Sequence, residues 1–175
     1  MKTWRVQENP NDASSEPITA RDIARRMLEQ TNVMFWIVPS EGSGEFAADV
    51  DEVRDVLLET PGAVASVWFE RLGASRYGWA DVVVQHVCEH DPERAVPVIR
   101  ALVAEAKDEE ELALIGAGPL EDLLRRQGPQ AIALVEAAAQ IDSRFRFALA
   151  GVWPSEQHPE VWKRWASALG DQERY

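Results

Sequence analysis

The stretch Asp91-Pro92-Glu93-Arg94-Ala95-Val96-Pro97-Val98-Ile99-Arg100-Ala101-Leu102-Val103 holds a helix start and a helix core in thirteen letters. Proline suits the first helical position, where its missing N–H would have had no partner, and a polar residue just before it can accept from the open amides of the first turn. Val98, Ile99, Leu102 and Val103 then return at the spacing of one helix face. Pro97 falls inside the run, where it removes one backbone bond and predicts a bend.

The same device recurs on either side. Thr60-Pro61, Gly118-Pro119, Gly128-Pro129 and His158-Pro159 each place a cap or glycine before a proline. Asp108 with Glu111, and Thr19 with Asp22, have capping-box spacing. Apolar stripes follow these starts: Ile23, Met27 and Leu28; Val53, Val56 and Leu57; Trp79, Val82, Val83 and Val87; Leu120, Leu123 and Leu124; Ile132, Val135 and Ala139; Phe145, Ala148, Leu149 and Val152; Val161, Trp162, Trp165 and Leu169. Each element is short and the joins are tight. The expected fold is all-α, a compact array of short antiparallel helices. The recurrence of proline starts at intervals of about thirty residues points to HEAT-like helical pairs.

A chain of 175 residues can bury roughly 70% of its unfolded surface in one domain. Residues 1–16 are polar and turn-rich (Asn9-Pro10-Asn11-Asp12, Ser14-Ser15), which predicts a flexible N-terminal segment tacked down by Trp4. Residues 17–175 are then a single helical domain. Within it, 32–48 is ambiguous: Val33 to Val38 is apolar and β-friendly, and Pro39 to Gly44 breaks the chain. With no partner strand evident, a helix end running into a loop is the favoured reading.

Thirty acids against eighteen bases leave a net charge of −12. Such a surface repels nucleic acid and anionic membranes, since phosphate binding needs clustered Lys and Arg, and it attracts a basic protein instead. No apolar run approaches the ~20 residues that span a bilayer, and the first residues lack the apolar core of a signal peptide. The single cysteine, Cys88, suits a reducing cytoplasm.

Two motifs carry possible chemistry. His86-Val87-Cys88-Glu89-His90 has the letters of an inverted zinc-protease helix, with His86 and His90 as ligands and Glu89 as base. Both histidines share a stripe with Trp79 and Val83, however, and the helix must end at once before Asp91-Pro92. A buried or half-buried pair bonded to backbone carbonyls is the simpler expectation. Leu114-Ile115-Gly116-Ala117-Gly118-Pro119-Leu120-Glu121 looks like the start of a dinucleotide fingerprint, but Glu121 stands where the third glycine belongs and would repel a pyrophosphate. These glycines are read as letting two helices turn sharply and pack closely. Cys88 lies on an apolar helix and is expected to be inert. No cofactor is expected.

The remaining signals concern surfaces. Glu41, Glu45, Asp49, Asp51, Glu52, Asp55 and Glu59 face only Arg54 between positions 41 and 59, so this stretch carries half of the net charge. Asp51, Asp55 and Glu59 repeat every fourth residue, where like charges on a helix cost a few tenths of a kcal/mol per pair. A basic partner would relieve that repulsion. Of seven tryptophans, Trp36, Trp68 and Trp153 lie nearest breaks and are candidates for contact.

Asp91-Pro92-Glu93-Arg94-Ala95, Ile115-Gly116-Ala117-Gly118-Pro119-Leu120-Glu121-Asp122-Leu123-Leu124 and Phe145-Arg146-Phe147-Ala148-Leu149-Ala150-Gly151-Val152-Trp153 together resemble an uncharacterised family of small bacterial helical proteins, over roughly residues 79–153. The resemblance implies an all-helical domain and supplies no activity, cofactor or catalytic residue. The leading expectation is therefore a protein-binding domain, in its narrow form an acidic immunity-type antidote to a basic toxin or nuclease, with Glu41, Glu45, Asp51, Glu52, Asp55, Glu59, Trp36 and Trp68 in the contact. The alternatives are a metal-dependent hydrolase on His86, Glu89 and His90, and a scaffold or accessory domain of a larger assembly.

Overall fold

A computed structural model describes residues 4–7, 17–29, 36–39, 47–71 and 79–170. By fold class the chain is all-α, and helices α1 (Ala20–Glu29), α2 (Ala47–Leu58), α3 (Pro61–Arg71), α4 (Trp79–His90), α5 (Pro92–Glu105), α6 (Glu109–Ile115), α7 (Glu121–Ile141), α8 (Ser143–Ala150) and α9 (Pro159–Leu169) make up most of the described residues. None of these helices is long and apolar enough to cross a membrane. The chain divides into two compact units, Met1–Val67 and Trp68–Tyr175, where the sequence reading expected one domain from residue 17. The boundary falls inside α3, whose helical pattern runs through it without any linker signal.

The first unit corrects the reading of two segments. Strands β1 (Trp4–Gln7), β2 (Pro17–Ile18) and β3 (Trp36–Pro39) form an antiparallel sheet in the order β2-β1-β3. Trp4 is opposite Ile18 on one side and Pro39 on the other, while Gln7 is opposite Trp36. So Trp36–Pro39 is a strand and not a helix end, and its partner lies in the segment taken for a flexible tail. Trp4, Val6, Trp36, Ile37 and Val38 are residue types that favour a pleated surface. The polar, turn-rich letters beyond Gln7 dominate the composition of 1–16 and hide the four that pair.

Helix α1 starts in the expected capping box. Thr19 Oγ1 accepts from the Asp22 amide at 3.2 Å, and Asp22 Oδ2 accepts from the Thr19 amide at 3.3 Å and its hydroxyl at 2.7 Å. These bonds, the hydroxyl's first, hold the Asp22 carboxyl below its ordinary range because they favour the charged form. Helix α1 packs on α2, and Ile23, Val53 and Leu57 are buried.

The second unit is organised around α7, which packs against α4, α5, α8 and α9. Leu123, Leu124, Ala131, Ile132, Val135, Ala138 and Ala139 are its buried side, and Ile99, Leu102, Phe145 and Leu149 are fully buried on neighbouring helices. Asp91 caps α5 by accepting from the Arg94 amide at 3.1 Å, with Pro92 at the first position. Asp108 caps α6 by accepting from the Glu111 amide at 2.9 Å, while Glu111 reaches back to the Lys107 amide at 2.6 Å. Asp142 caps α8 through the amides of Arg144 and Phe145. Trp165 is buried and donates from Nε1 to the Leu149 carbonyl at 3.0 Å, which removes the cost of burying an indole N–H.

The two glycine–proline starts behave differently. At Gln127, with φ −124° and ψ 18°, α7 kinks, so a fresh helical segment does begin at Gly128-Pro129. Gly118-Pro119 begins nothing. Residues Gly116–Leu120 form a π-helical turn that joins α6 to α7 without a break, so the predicted sharp turn between two helices is absent there. The predicted close packing is present: a Cβ on Gly116 would lie 2.2 Å from the Ala148 carbonyl oxygen.

Candidate functional site

On α2 the spacing of buried and exposed positions places the acids outward. Val53 and Leu57 are buried, Asp51, Glu52 and Asp55 are exposed on the helix, and Glu59 is exposed in the turn just past its end. The line of like charge is partly neutralised from within. Arg54 Nη1 is 2.7 Å from Asp51 Oδ1, and Arg21 Nη2 reaches both Glu59 oxygens at 3.2 and 3.1 Å. Glu41 and Glu45 lie outside the described residues. Trp36 occupies the end of β3 opposite Gln7. Trp68, named as a contact residue, is 7% exposed; its position in α3 turns the indole into the core, so it contributes packing there. Trp153 is 63% exposed and does present surface.

The HxxEH helix ends at a corner between α4 and α7. The His86 and His90 rings stack with centroids 4.4 Å apart and planes 19° from parallel. His90 Nδ1 lies 3.0 Å from the His86 carbonyl oxygen, which engages that nitrogen with backbone, but His90 is exposed and not on the core side that its stripe suggested. Stacked rings carry their in-plane lone pairs side by side and do not converge them on one point. Among the described residues no group of three or more His, Cys, Asp or Glu side chains is placed to hold a metal ion. Glu89 turns instead toward Gln85, whose Nε2 is 3.3 Å from Oε1, and toward Arg126 at 3.9 Å. Its backbone carbonyl accepts from Gln127 Nε2 at 2.5 Å, so the kink in α7 is tied to the end of α4. Cys88 is fully buried. Desolvation, then the charges of Asp122 and Glu89, push its thiol far above the ordinary range, which removes the thiolate that reactivity needs.

The Leu114–Glu121 segment has no open amides for a phosphate. The Glu121 amide donates to the Gly116 and Gly118 carbonyls, because the helix runs on through the π turn. The Glu121 carboxylate pairs with Arg125 at 3.0 Å and accepts from the Trp153 amide at 2.9 Å. It thereby fixes the loop that carries the exposed indole. Asp122 was not singled out from the sequence. Burial raises its carboxyl above the ordinary range, helped by the nearby Glu89 and Glu121 charges and opposed by Arg126 and Arg125. No local pattern could have marked it, since Glu89 lies more than thirty positions away.

No curated protein and no solved structure matches the chain. A family model matches residues 69–172, taking in α4 to α9, the Ile115–Leu124 block and the α4–α7 corner, and leaving out the sheet, α1 and the acidic α2. With more than half its length so matched, the chain belongs to the family of unknown function DUF6869.

Proposed function

We propose that the protein is a binding domain that takes a basic protein partner on the acidic face of α2. The observation that supports this is the display of Asp51, Glu52, Asp55 and Glu59 on successive turns, held outward by the buried Val53 and Leu57 behind them. Internal pairing of Asp51 with Arg54 and of Glu59 with Arg21 orients those two acids and leaves the face net negative. Complementary charge speeds encounter with a cationic partner and selects against acidic ones. The face lies outside the family-matched residues, so partner choice is a property of this chain's own first unit. The narrow form of the reading is a cytoplasmic immunity-type inhibitor that covers the active site of a basic toxin or nuclease.

The test compares two baits in lysate of the native cell: the wild-type chain and Asp51→Lys/Asp55→Lys/Glu59→Lys. A basic protein retained by the first, released by salt and lost with the second supports the reading. For the purified pair, the substitutions should slow association about tenfold or more and flatten its salt dependence. Equal retention on both baits would remove the α2 face from the interface.

A further inference from the structure

The last turn of α4 sets two imidazoles and a carboxylate on one face. His86, Glu89 and His90 stand three and four residues apart, which makes them neighbours on a helix. His90 is exposed and His86 half-buried, so the pair borders solvent and is not sealed into the core. The 3.0 Å contact between His90 Nδ1 and the His86 carbonyl oxygen fixes more than the position of the ring. A carbonyl oxygen only accepts, so Nδ1 carries the proton and Nε2 is left with the lone pair. Metal-binding imidazoles are prepared in this way. Donating the other ring N–H to a backbone carbonyl sets the tautomer and raises the basicity of the ligating nitrogen.

The His86 ring lies against that of His90, with centroids 4.4 Å apart and planes 19° from parallel. Two nitrogens on one tetrahedral zinc ion, each about 2.0–2.1 Å from it, stand about 3.3 Å apart. The ring centroids are only about 1 Å wider than that, and as stacked the lone pairs run side by side. Rotation of the His86 side chain about its own torsions, with His90 held by the carbonyl, turns both lone pairs onto a common point. The surroundings favour a cation there. Helix α4 ends at His90, and the last carbonyls of a helix carry partial negative charge. Against the carboxylates of Glu89, Glu121 and Asp122 at this corner stand the guanidinium groups of Arg125 and Arg126, which leaves it net negative.

We propose that His86 and His90 form a two-imidazole site for a divalent transition-metal ion of the zinc, nickel or copper class, on the last turn of α4. Imidazole nitrogen selects these ions over Mg2+ and Ca2+, which take oxygen ligands. Among the described residues no set of three His, Cys, Asp or Glu side chains is placed around one point, so water completes the coordination sphere. Binding is therefore reversible, and the site is not the closed kind on which a domain depends for folding. The ion acts as a clip across one helical turn. Because the Glu89 carbonyl within that turn accepts from Gln127 Nε2, loading stiffens the joint between α4 and the kink in α7. The site belongs to the second unit and stands or falls separately from the α2 face.

Equilibrium dialysis of the full chain, without an affinity tag, against Zn2+ tests this, with a large excess of Mg2+ present to occupy the surface carboxylates. One Zn2+ per chain should be retained, and Cu2+ should displace it. His86→Gln and His90→Gln should each weaken binding at least about tenfold, with unchanged helical circular dichroism. His158→Gln, which removes the third histidine of the chain, should bind as wild type does. Zinc should also raise the melting temperature of the wild type and leave that of His90→Gln where it was. Should His86→Gln fail to fold, His90→Gln at the exposed position decides alone. No zinc retained over the Mg2+ would overturn the proposal, as would retention that His90→Gln leaves intact. Half an equivalent per chain would overturn it too, because the ion would then join two copies and not two turns of one helix.

Discussion

At Gly116 a methyl group would sit 2.2 Å from the Ala148 carbonyl oxygen and 3.0 Å from the Gly151 Cα. Both are backbone atoms, which cannot swing aside as a side-chain end could, so α8 would have to move. Gly116→Ala is expected to cost about 1–3 kcal/mol as an overpacked core, lowering the melting temperature by roughly 4–8 °C per kcal/mol for a unit of this size. Gly62 in α3 has open space where its Cβ would be, and Gly62→Ala should be stabilising by up to about 1 kcal/mol through helix propensity. Thermal unfolding followed by circular dichroism checks both signs; a Gly116→Ala melt equal to wild type would mean that the π turn and α8 are not in close contact. The sequence marked Gly116 and Gly118 as a place of tight packing. It could not say which one was packed, because the answer depends on α8, more than thirty residues further along.

Helix starts were the most legible elements, since a cap needs only residues three or four apart. Thr19, Asp91 and Asp108 cap as their spacing requires. Asp142 caps α8 equally well, but neither a following proline nor an acid three residues on marks it, since Phe145 holds that place. Joins that depend on distant residues were not legible: the strand at Trp36–Pro39 needs Trp4–Gln7, and the π turn needs the packing of α8. The continuity of α6 through α7 has an electrostatic consequence at Asp122. An acid in a first helical turn is ordinarily favoured by free amides and the helix dipole, but the π turn has consumed those amides, and burial with neighbouring carboxylates raises Asp122's carboxyl instead. A raised native value means that the folded chain binds the proton more tightly than the unfolded one. This group's contribution to stability therefore falls as pH climbs from the ordinary carboxyl range through the raised value. Asp122→Asn should accordingly be more stable than wild type at neutral pH, by no more than a few tenths of a kcal/mol once solvent screening of a partly exposed group is counted. The difference should fade near about pH 3, where the wild-type carboxyl is protonated in both states. Comparing urea unfolding of the two chains at each pH cancels the opposite trends of Asp22 and Glu136, whose carboxyls are lowered. An Asp122→Asn chain less stable at neutral pH would show that the charged form is the one favoured by the fold.

Across the whole chain, two independent divisions fall at nearly the same place. The contact units part at Val67 and Trp68, and the family match begins at residue 69. Helical periodicity could not reveal this boundary because α3 crosses it, and composition could not because both sides are rich in apolar helix. The family resemblance read from the sequence reached only from 79 to 153 for the same reason: its densest motifs lie on α5, the π turn and α8, around the hub helix. That hub predicts where the molecule opens last. Amides on the buried side of α7 and on α5 are enclosed by fully buried Ile99, Leu102, Leu124, Val135 and Phe145, so they exchange only when the second unit opens as a whole. Amides of α1 sit on a helix of ten residues with few large buried side chains, and local opening there costs less. Hydrogen exchange followed by mass spectrometry should find α5 and the Ala131–Ala139 stretch slowest, at least about tenfold slower than α1 and α2. Equal protection of α1 and α7 would mean that the two units unfold together, and the boundary inside α3 would then be a feature of packing without independent stability on either side.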